Sequence, residues 1–264
     1  MKVAVILPAA GKSVRFGLGD KLGQDLGGRP VLLRSVEAFA KRDDVAVVIV
    51  AAPEDGVDAF RDRYGVQLAF HGVKIVAGGR ERWESVRNAL ALVPAECTHV
   101  AVHDAARPLV NQELIDRVFA AAGVAGAAIP GEPVSATLKR VTEETFDASA
   151  DDAIVDSILG GGGDGEPVGD GVKGRRVVET VPRERMMAIQ TPQVFERSLF
   201  ERAYAQQGLN GATDDASLVE RLGEPVLVVA GDPRNLKITT QADLALAKLM
   251  LGARLPGDRP VFGF

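Results

Sequence analysis

The chain has 264 residues, of which 46% are hydrophobic and 25% are charged, so it is long enough to bury the core of one large α/β domain. Its formal net charge of −5 argues against a general nucleic-acid binder, because such proteins carry a basic face. An anionic ligand must therefore be held by a local cluster of Arg and Lys. A single cysteine, Cys97, excludes a disulfide within the chain and a cysteine-based zinc site.

The N-terminal residues carry no pattern typical of export. The N-terminus lacks the long apolar region and the cleavage site of a signal peptide, and no apolar stretch is long enough to span a bilayer. We therefore expect a cytoplasmic protein with neither a membrane nor a nucleic-acid partner.

Short apolar, β-branched runs alternate with amphipathic stretches along the chain. The predicted strands are Val3–Leu7, Val45–Ala51, Val73–Ala77, His99–His103, Ala127–Ile129 and Pro225–Val229. The predicted helices are Leu32–Ala40, Glu54–Tyr64, Glu81–Leu92, Gln112–Ala122, Glu196–Gln206, Asp214–Leu222 and Gln241–Leu251. Continuous apolar strands that alternate with helices predict an α/β fold with a mostly parallel sheet covered by helices on both faces.

The first predicted strand ends in a loop of small residues, Pro8-Ala9-Ala10-Gly11, and basic side chains follow at Arg15 and Lys21. Small residues allow backbone N–H groups to approach a phosphate, and nearby cations can neutralise its charge. The spacing matches neither G-x-G-x-x-G nor G-x-x-x-x-G-K-[ST]. The loop therefore indicates either a different kind of nucleotide-binding loop or a tight turn with solvated charges, and taken alone it does not separate the two.

Two other candidate segments also follow predicted strands, Gly78-Gly79 and Asp104–Pro108. In mostly parallel sheets, ligands bind beyond the carboxyl ends of the strands. The three segments should therefore meet at one edge of the sheet, which favours an active site there.

One stretch interrupts the alternation. Residues 143–182 are acidic and rich in glycine, whereas the flanks Thr137–Thr142 and Arg175–Val181 are β-prone and could pair as an arm. The C-terminal Arg254–Phe264 is a Pro/Gly tail for which we predict no regular structure.

Several segments, taken together and in order, carry a resemblance to a known family. They are Pro8-Ala9-Ala10-Gly11 with Arg15 and Lys21; Gly78-Gly79-Arg80-Glu81-Arg82 with Ser85; Val102-His103-Asp104-Ala105-Ala106-Arg107-Pro108; Thr137-Leu138-Lys139-Arg140; Thr191-Pro192-Gln193; Thr213-Asp214-Asp215-Ala216-Ser217; and Asn235-Leu236-Lys237-Ile238-Thr239. This set resembles the 2-C-methyl-D-erythritol 4-phosphate cytidylyltransferases. The resemblance implies Mg2+-dependent transfer of CMP from CTP to 2-C-methyl-D-erythritol 4-phosphate, giving 4-diphosphocytidyl-2-C-methyl-D-erythritol and pyrophosphate.

The resemblance also implies an architecture. It is a nucleotidyltransferase domain built on a Rossmann-like sheet, with a protruding β-arm. Together with the sequence pattern, which the resemblance does not cover in the Gly/Asp-rich stretch and the tail, this predicts a single domain over residues 1–264. The arm lies at about 137–183 and carries the Gly/Asp-rich insertion, and the irregular tail lies at 253–264. The resemblance further implies a homodimer joined through that arm, with CTP and a sugar-alcohol phosphate as small-molecule partners.

The resemblance assigns roles to individual residues. The catalytic residues are Arg15 and Lys21, which would act on the CTP phosphates. The nucleotide-binding residues are Pro8, Ala9, Ala10, Gly11, Gly78, Gly79, Arg80 and Ser85. The substrate-binding residues are Asp104, Arg107, Thr137, Arg183, Thr191 and Lys237, of which Thr137 and Arg183 would reach into the partner subunit's site. Asp104 is also a candidate metal ligand. His103 is predicted to be packed and not to act as a base, since the attacking phosphate is already ionised near neutral pH.

Each of these assignments competes with a simpler interpretation. Gly78-Gly79 could simply form the turn before a helix. Ser85 could be a residue of the first helical turn that accepts hydrogen bonds from free backbone amides. Asp104 could form a surface ion pair with Arg107. For Lys21 and Lys237, the simpler interpretation is an ordinary solvated lysine.

The chain departs from the family pattern at several positions. Ser13 stands where a glycine is usual, and Asp20-Lys21-Leu22 replaces Pro-Lys-Gln. Ala136 and Pro182 each replace an Asp, which leaves the arm arginine open between Arg183 and Arg185.

The alternatives in function are a cytidylyltransferase for ribitol 5-phosphate or another pentitol phosphate, a sugar-1-phosphate nucleotidyltransferase, and a non-catalytic nucleotide-sensing module. The presence of Arg15, Lys21, Asp104 and Lys237 argues against the last of these.

Overall fold

The computed structural model describes residues 1–11, 16–17, 20–148 and 172–251. The strands are β1 (Val3–Pro8), β2 (Val45–Ala52), β3 (Lys74–Ala77), β4 (His99–Val102), β5 (Ala127–Pro133), β6 (Leu138–Val141), β7 (Phe146–Ala148), β8 (Val172–Gly174), β9 (Val177–Val181), β10 (Met187–Ile189), β11 (Gln193–Glu196) and β12 (Leu227–Ala230). The helices are α1 (Val31–Ala40), α2 (Val57–Phe70), α3 (Arg82–Leu90), α4 (Gln112–Ala125), α5 (Arg197–Tyr204), α6 (Ala216–Glu220) and α7 (Gln241–Leu251).

The chain divides into two compact units, Met1–Glu132 with Ile189–Phe264, and Pro133–Ala188. The main sheet has the strand order β10-β5-β11-β4-β1-β2-β3, and β12 also pairs with β5. Strand β1 is parallel to β2 and β4, β2 is parallel to β3, and β12 is parallel to β5. The predicted α/β fold with a mostly parallel sheet is therefore confirmed.

The sheet also contains two strands that were not predicted, β10 and β11. Strand β11 is antiparallel to both of its neighbours, β4 and β5. It has four residues, two of them polar, and such a short run gives little periodic signal. Its insertion between β4 and β5 places the Thr191-Pro192 segment beside the end of β4.

Helices cover both faces of the sheet, because side chains alternate along β1. Val3, Val5 and Leu7 belong to the core that packs under α1, α2, α4 and α7. Ala4 and Ile6 belong to the core on the other face, under α3, α5 and α6. All five side chains have no exposed surface, as expected for a strand at the centre of an α/β sheet.

Helix α2 differs from the predicted Glu54–Tyr64. Residues Glu54–Gly56 form a separate 3-10 turn, in which Asp55 has a non-helical backbone, and the helix begins at Val57. It continues to Phe70 because Leu68 extends a buried stripe that already contains Phe60 and Tyr64.

The second unit contains two pairs of antiparallel strands. Strand β6 pairs with β9, with Leu138 opposite Val181, which confirms the predicted pairing of the arm's flanks. Strand β7 pairs with β8. The tip of the Gly/Asp-rich stretch (149–171) and the predicted tail lie outside the described residues. No helix in the described part of the chain is long and apolar enough to cross a membrane.

Candidate active site

The loop after β1 lines a cavity of about 580 Å³ at the carboxyl edge of the sheet. Ala9 continues the sheet's hydrogen bonding, since its N–H donates to the carbonyl of Ala51 at 2.8 Å, and its side chain is buried. Pro8, Ala10 and Gly11 line the same cavity. Side chains this small leave the backbone accessible to a ligand, as a phosphate-binding loop requires.

The β3–α3 loop forms a second wall of the cavity. The N–H of Gly78 donates to the carbonyl of Ala52, and a Cβ at Gly78 would lie 2.8 Å from both the Ala10 Cβ and the Ser85 Oγ. The buried Ser85 Oγ accepts the N–H of Gly79 at 3.0 Å. This contact fixes the loop to the first turn of α3. Glycine is needed at position 78 because the two loops touch there.

The cavity collects most of the predicted nucleotide and catalytic residues. Its lining includes Pro8, Ala9, Ala10, Gly11, Lys21, Gly79, Arg80, Ser85, Asp104 and Lys237. The side chain of Arg80 is exposed. Lining residues that the sequence analysis did not assign include Pro53, Glu54, Asp55, Glu81 and Arg82.

Asp104 follows β4 and is nearly buried among three cations. Its Oδ2 lies 3.0 Å from the Lys237 Nζ and accepts from the Arg107 Nε at 3.2 Å, while its Oδ1 lies 3.9 Å from the Arg82 Nε. Burial alone would raise the pKa of Asp104, but Lys237, Arg82 and Arg107 lower it well below its usual value. Asp104 is therefore an ionised acceptor at neutral pH and not a solvated partner of a surface pair.

Hydrogen bonds to backbone carbonyls hold two of the cations around Asp104, Lys237 and Arg107, in place. The N–H of Ile238 donates to the Ala106 carbonyl at 2.8 Å, which brings Lys237 beside the Asp104 loop. The Arg107 Nη1 donates to the Asn235 carbonyl at 2.7 Å. Arg107 thus joins two loops, and its guanidinium is already engaged by protein oxygens.

A chain of hydrogen bonds with a single direction lies behind Asp104. The His103 Nε2 lies 3.1 Å from the Arg107 carbonyl, which can only accept, so Nε2 carries the proton. The His103 Nδ1 must then accept from the Thr191 hydroxyl, 3.1 Å away, and the Thr191 Oγ1 accepts the Asp104 N–H at 3.0 Å. Burial lowers the pKa of His103 to about 4, so this ring is neutral. The Thr191 hydroxyl therefore donates its hydrogen bond to His103 and not to a ligand.

A second cavity of about 310 Å³ adjoins this cluster. Its lining residues are Arg82, Asp104, Arg107, Ile189, Gln190, Thr191, Gln193, Thr213, Asp214 and Lys237. It shares Arg82, Asp104 and Lys237 with the larger cavity. Arg107 and Thr191, predicted to bind substrate, therefore lie beside Asp104 and Lys237.

Arg82 is a site residue to which the sequence analysis gave no role. Its Nη2 lies 2.6 Å from the Oδ2 of Asp215, whose side chain is fully buried, and the Tyr204 hydroxyl donates to the Asp215 Oδ1 at 2.5 Å. Although burial lowers the pKa of Arg82, Asp215 raises it above its usual value, so the guanidinium stays charged. Both residues lie in segments that carry the family resemblance, and that placement was the only available signal.

The remaining predicted site residues are Arg15, Thr137 and Arg183, with Arg185 as the alternative to Arg183. Arg15 lies in 12–15, outside the described part of the chain. Thr137 and Arg183 are exposed residues of the second unit, where the Arg183 guanidinium donates to the Ser135 carbonyl. Arg185 has a φ of 63°, in the turn where the Met186 N–H donates to the Arg183 carbonyl at 3.0 Å.

The Asp104 environment does not fit a metal ion held by the protein. Its carboxylate already accepts from Lys237 and Arg107, and three cations would repel a divalent ion. Among the described residues, no group of three or more His, Cys, Asp or Glu side chains could hold a metal.

Comparisons with known proteins agree with one another. The sequence profile of the family "2-C-methyl-D-erythritol 4-phosphate cytidylyltransferase" matches residues 3–154 and 163–253. A protein with that name from Frankia casuarinae is 42% identical over 260 residues, covering 97% of this chain and 84% of the relative. One from Solibacter usitatus is 38% identical over 261 residues, covering 95% and 96%.

Solved structures give the same result. The crystal structure of a 2-C-methyl-D-erythritol 4-phosphate cytidylyltransferase from Thermus thermophilus has a TM-score of 0.66 and 33% identity, covering 95% of this chain and 98% of that one. The crystal structure of a 4-diphosphocytidyl-2C-methyl-D-erythritol synthase has a TM-score of 0.70 and 30% identity, covering 95% and 99%.

Proposed function

The chain belongs to the 2-C-methyl-D-erythritol 4-phosphate cytidylyltransferase family, and from this premise we propose that it transfers CMP from CTP to 2-C-methyl-D-erythritol 4-phosphate. The products are 4-diphosphocytidyl-2-C-methyl-D-erythritol and pyrophosphate. The observation that carries the proposal is the pair of adjoining cavities, which share Arg82, Asp104 and Lys237. One cavity has room for a nucleoside triphosphate, and the other is small and polar.

The larger cavity is assigned to CTP. The small-residue loop Pro8–Gly11 would face the triphosphate, with Lys21 on the same wall, and Arg15 is proposed to join it. Gly79, Arg80 and Ser85 would line the cytosine site, with Gly78 supporting them from beneath. A pyrimidine has a small hydrogen-bonding edge, so a backbone that can approach closely suits it.

The smaller cavity is assigned to the sugar-alcohol phosphate. Lys237 supplies a positive charge for the phosphate, and the ionised Asp104 can accept a hydrogen bond from a hydroxyl of the polyol. Because Arg107 is engaged by Asp104 and Asn235, we assign it the task of shaping this wall. Thr191 lies beside Asp104 and is assigned to the same wall of this cavity.

The reaction needs position and charge more than proton transfer. The acceptor phosphate is ionised at neutral pH, so its oxygen attacks the α-phosphorus of CTP in line, and pyrophosphate leaves on the opposite side. Lys21 and Arg15 would stabilise the negative charge that spreads over the phosphates in the transition state. Mg2+, expected from the resemblance, stays a prediction; it would have to be bound mainly by triphosphate oxygens, because Asp104 does not fit as a ligand.

A pyrophosphate-release assay tests the proposal. CTP, UTP, GTP and ATP are each combined with 2-C-methyl-D-erythritol 4-phosphate or ribitol 5-phosphate, and turnover is expected only for CTP with the first acceptor. Turnover with ribitol phosphate alone would contradict the proposed acceptor.

We expect Lys21→Ala to lower kcat by about 10²–10³-fold and CTP affinity much less, because charge develops mainly in the transition state. A variant with weak CTP binding but normal kcat would contradict this role.

We further propose a homodimer in which the arm completes the partner's site through Thr137 and Arg183. Support comes from the exposed arm strand β9, whose Val177 and Val178 are 58% and 60% exposed. Mixing Lys21→Ala protein with Arg183→Ala protein should restore part of the activity, because hybrid dimers contain one intact site. If subunit exchange is demonstrated and activity does not recover, the site is not shared between subunits. The same mixing experiment with Arg185→Ala protein shows which of the two candidate arginines acts in the partner's site.

A further inference from the structure

The segment that carries Lys21 is folded around Asp20. The Asp20 Oδ1 accepts the N–H of Leu22 at 2.9 Å, so the turn closes across Lys21, and the Gln24 side chain donates to the Asp20 carbonyl at 3.1 Å. Asx turns of this kind restrict the backbone of the residue they span. Leu22 itself is buried, and its carbonyl accepts the N–H of Leu32 in α1.

Helix α2 holds the same carboxylate from the other side. The Tyr64 hydroxyl donates to the Asp20 Oδ2, and the Arg63 Nη1 lies 3.0 Å from that oxygen. The backbone at Gly23 lies against this pair, since a Cβ there would come within 2.6 Å of the Tyr64 hydroxyl oxygen. Burial, with a further contribution from Asp20, raises the pKa of Tyr64, so the phenol keeps its proton and remains a donor.

We propose that Tyr64, acting through Asp20, is a positioning residue that holds the Lys21 turn against the nucleotide cavity. The resembling family has a proline before this lysine, and a proline restricts the backbone covalently. In this chain the Asp20 carboxylate, held by Tyr64 and Arg63, restricts the backbone at this position instead. The inference rests on the proposed function of Lys21, and it gives a reason for the side-chain hydrogen bond that α2 directs at Asp20, the residue before Lys21.

Two readouts test the proposal in the full-length protein. The first is hydrogen exchange of the Leu22 amide: Tyr64→Phe should accelerate it about tenfold, because the released carboxylate no longer holds the turn. The second is kcat in the pyrophosphate assay. Tyr64→Phe should lower kcat about tenfold in the wild-type background and less than twofold in a Lys21→Ala background, since its effect acts through Lys21. Unchanged exchange, or an equal loss of kcat in both backgrounds, overturns the proposal.

Matched variants separate positioning from general destabilisation. Arg61 and Arg63 lie on the same helix with equally exposed side chains, 53% each, but Arg61 pairs with Asp58 and Arg63 with Asp20. Arg63→Ala should accelerate Leu22 exchange, whereas Arg61→Ala should not. Asp20→Asn, which keeps an acceptor for Leu22, should retain more activity than Asp20→Ala; equal losses count against the proposal.

The two proposals fail in different ways. If the wild-type protein releases no pyrophosphate from CTP and the expected acceptor, the proposed function fails, and the exchange measurement still decides whether Tyr64 holds the turn. If the wild-type protein is active and Tyr64→Phe changes neither exchange nor kcat, only the positioning role fails.

Discussion

Asp104 combines burial with three neighbouring cations, and this combination determines what its carboxylate can do. A buried carboxylate without partners would bind a proton, but Lys237 and Arg107 lie within 3.2 Å of its Oδ2. The group therefore accepts hydrogen bonds at neutral pH and is a poor proton donor. Its backbone is held as well, because its N–H donates to the Thr191 Oγ1 and so begins the chain of hydrogen bonds that runs through Thr191 to His103.

Substitutions of Thr191 test that chain of hydrogen bonds. Thr191→Val keeps the shape but leaves two buried groups without partners, the His103 Nδ1 and the Asp104 N–H. We expect the free energy of unfolding to fall by about 2–4 kcal/mol, and urea unfolding monitored by circular dichroism measures it. Thr191→Ser keeps the hydroxyl and should cost about 1 kcal/mol or less. Equal losses for the two variants would show that the hydroxyl is not the connecting group.

His103 gives the protein a defined dependence of stability on pH. Its pKa of about 4 in the folded state lies below the ordinary value of 6.5, so between these values only the unfolded chain binds the proton. Stability should therefore be complete above pH 6.5 and decrease as the pH falls towards 4. The contribution of this one group amounts to about 3 kcal/mol over that range.

The measurement is urea unfolding at several pH values for the wild-type protein and for His103→Gln, which has a donor and an acceptor but does not titrate. His71 and His99 are present in both proteins, so their contributions cancel in the difference. The variant should lose less stability than the wild type between pH 6.5 and 4. Parallel pH profiles would refute the assignment to His103. The expectation from the sequence that His103 is packed is confirmed, since the ring is fully buried and lies 5.0 Å from the Phe39 ring.

At the scale of elements, the contact between the loops after β1 and β3 depends on Gly78. In Gly78→Ala the new methyl group would meet the Ala10 Cβ, the Ser85 Oγ and the Ala52 carbonyl, each at 2.8 Å. We expect a loss of stability of about 1–3 kcal/mol together with weaker CTP binding, measured by urea unfolding and calorimetry. Gly56→Ala is the control, because its Cβ would meet nothing within 4 Å. If both variants bind CTP as tightly as the wild type, the loop contact does not shape the nucleotide site.

The arrangement of these elements was largely predictable. Apolar runs as clear as Val3–Leu7 define a strand, and topology then places the ends of parallel strands at one edge. The structure confirms that the segments after β1, β3 and β4 meet in one cavity. Strand β11 was missed because its pairing with β4 and β5 is antiparallel and distant in sequence, so no local pattern encodes it. The extension of α2 to Phe70 was missed because Gly65 interrupts an otherwise helical pattern.

At the scale of the whole molecule, an ion pair between the partly exposed Arg82 and the buried Asp215 connects segments that are far apart in sequence. Arg82 begins α3, Asp215 precedes α6, and Tyr204 ends α5. The Gln193 Oε1 accepts the N–H groups of Asp215 and Ala216 at 3.1 Å, which ties the same loop to β11. Charge spacing along a chain says nothing about such a pair, since it forms only after the sheet has brought the segments together. This explains why Arg82 and Asp215 were assigned no role before the fold was known.

The ion pair leads to the largest expected loss of stability. Arg82→Met removes the cation but leaves the Asp215 carboxylate buried, with the Tyr204 hydroxyl still donating to its Oδ1. An uncompensated buried charge costs about 3–5 kcal/mol, and urea unfolding should show a loss of that size. Arg202→Met, which breaks the exposed pair with Glu224, should cost about 1 kcal/mol or less.

Adding Asp215→Asn to Arg82→Met should restore about 1–2 kcal/mol, because the neutral amide removes the unpaired charge and its oxygen can still accept from Tyr204. A further loss in the double variant would show that the unpaired carboxylate is not what destabilises Arg82→Met. Because Arg82 also lies 3.9 Å from Asp104, the double variant should regain stability without regaining turnover. Recovery of both together would assign Arg82 to the fold alone and remove it from the site.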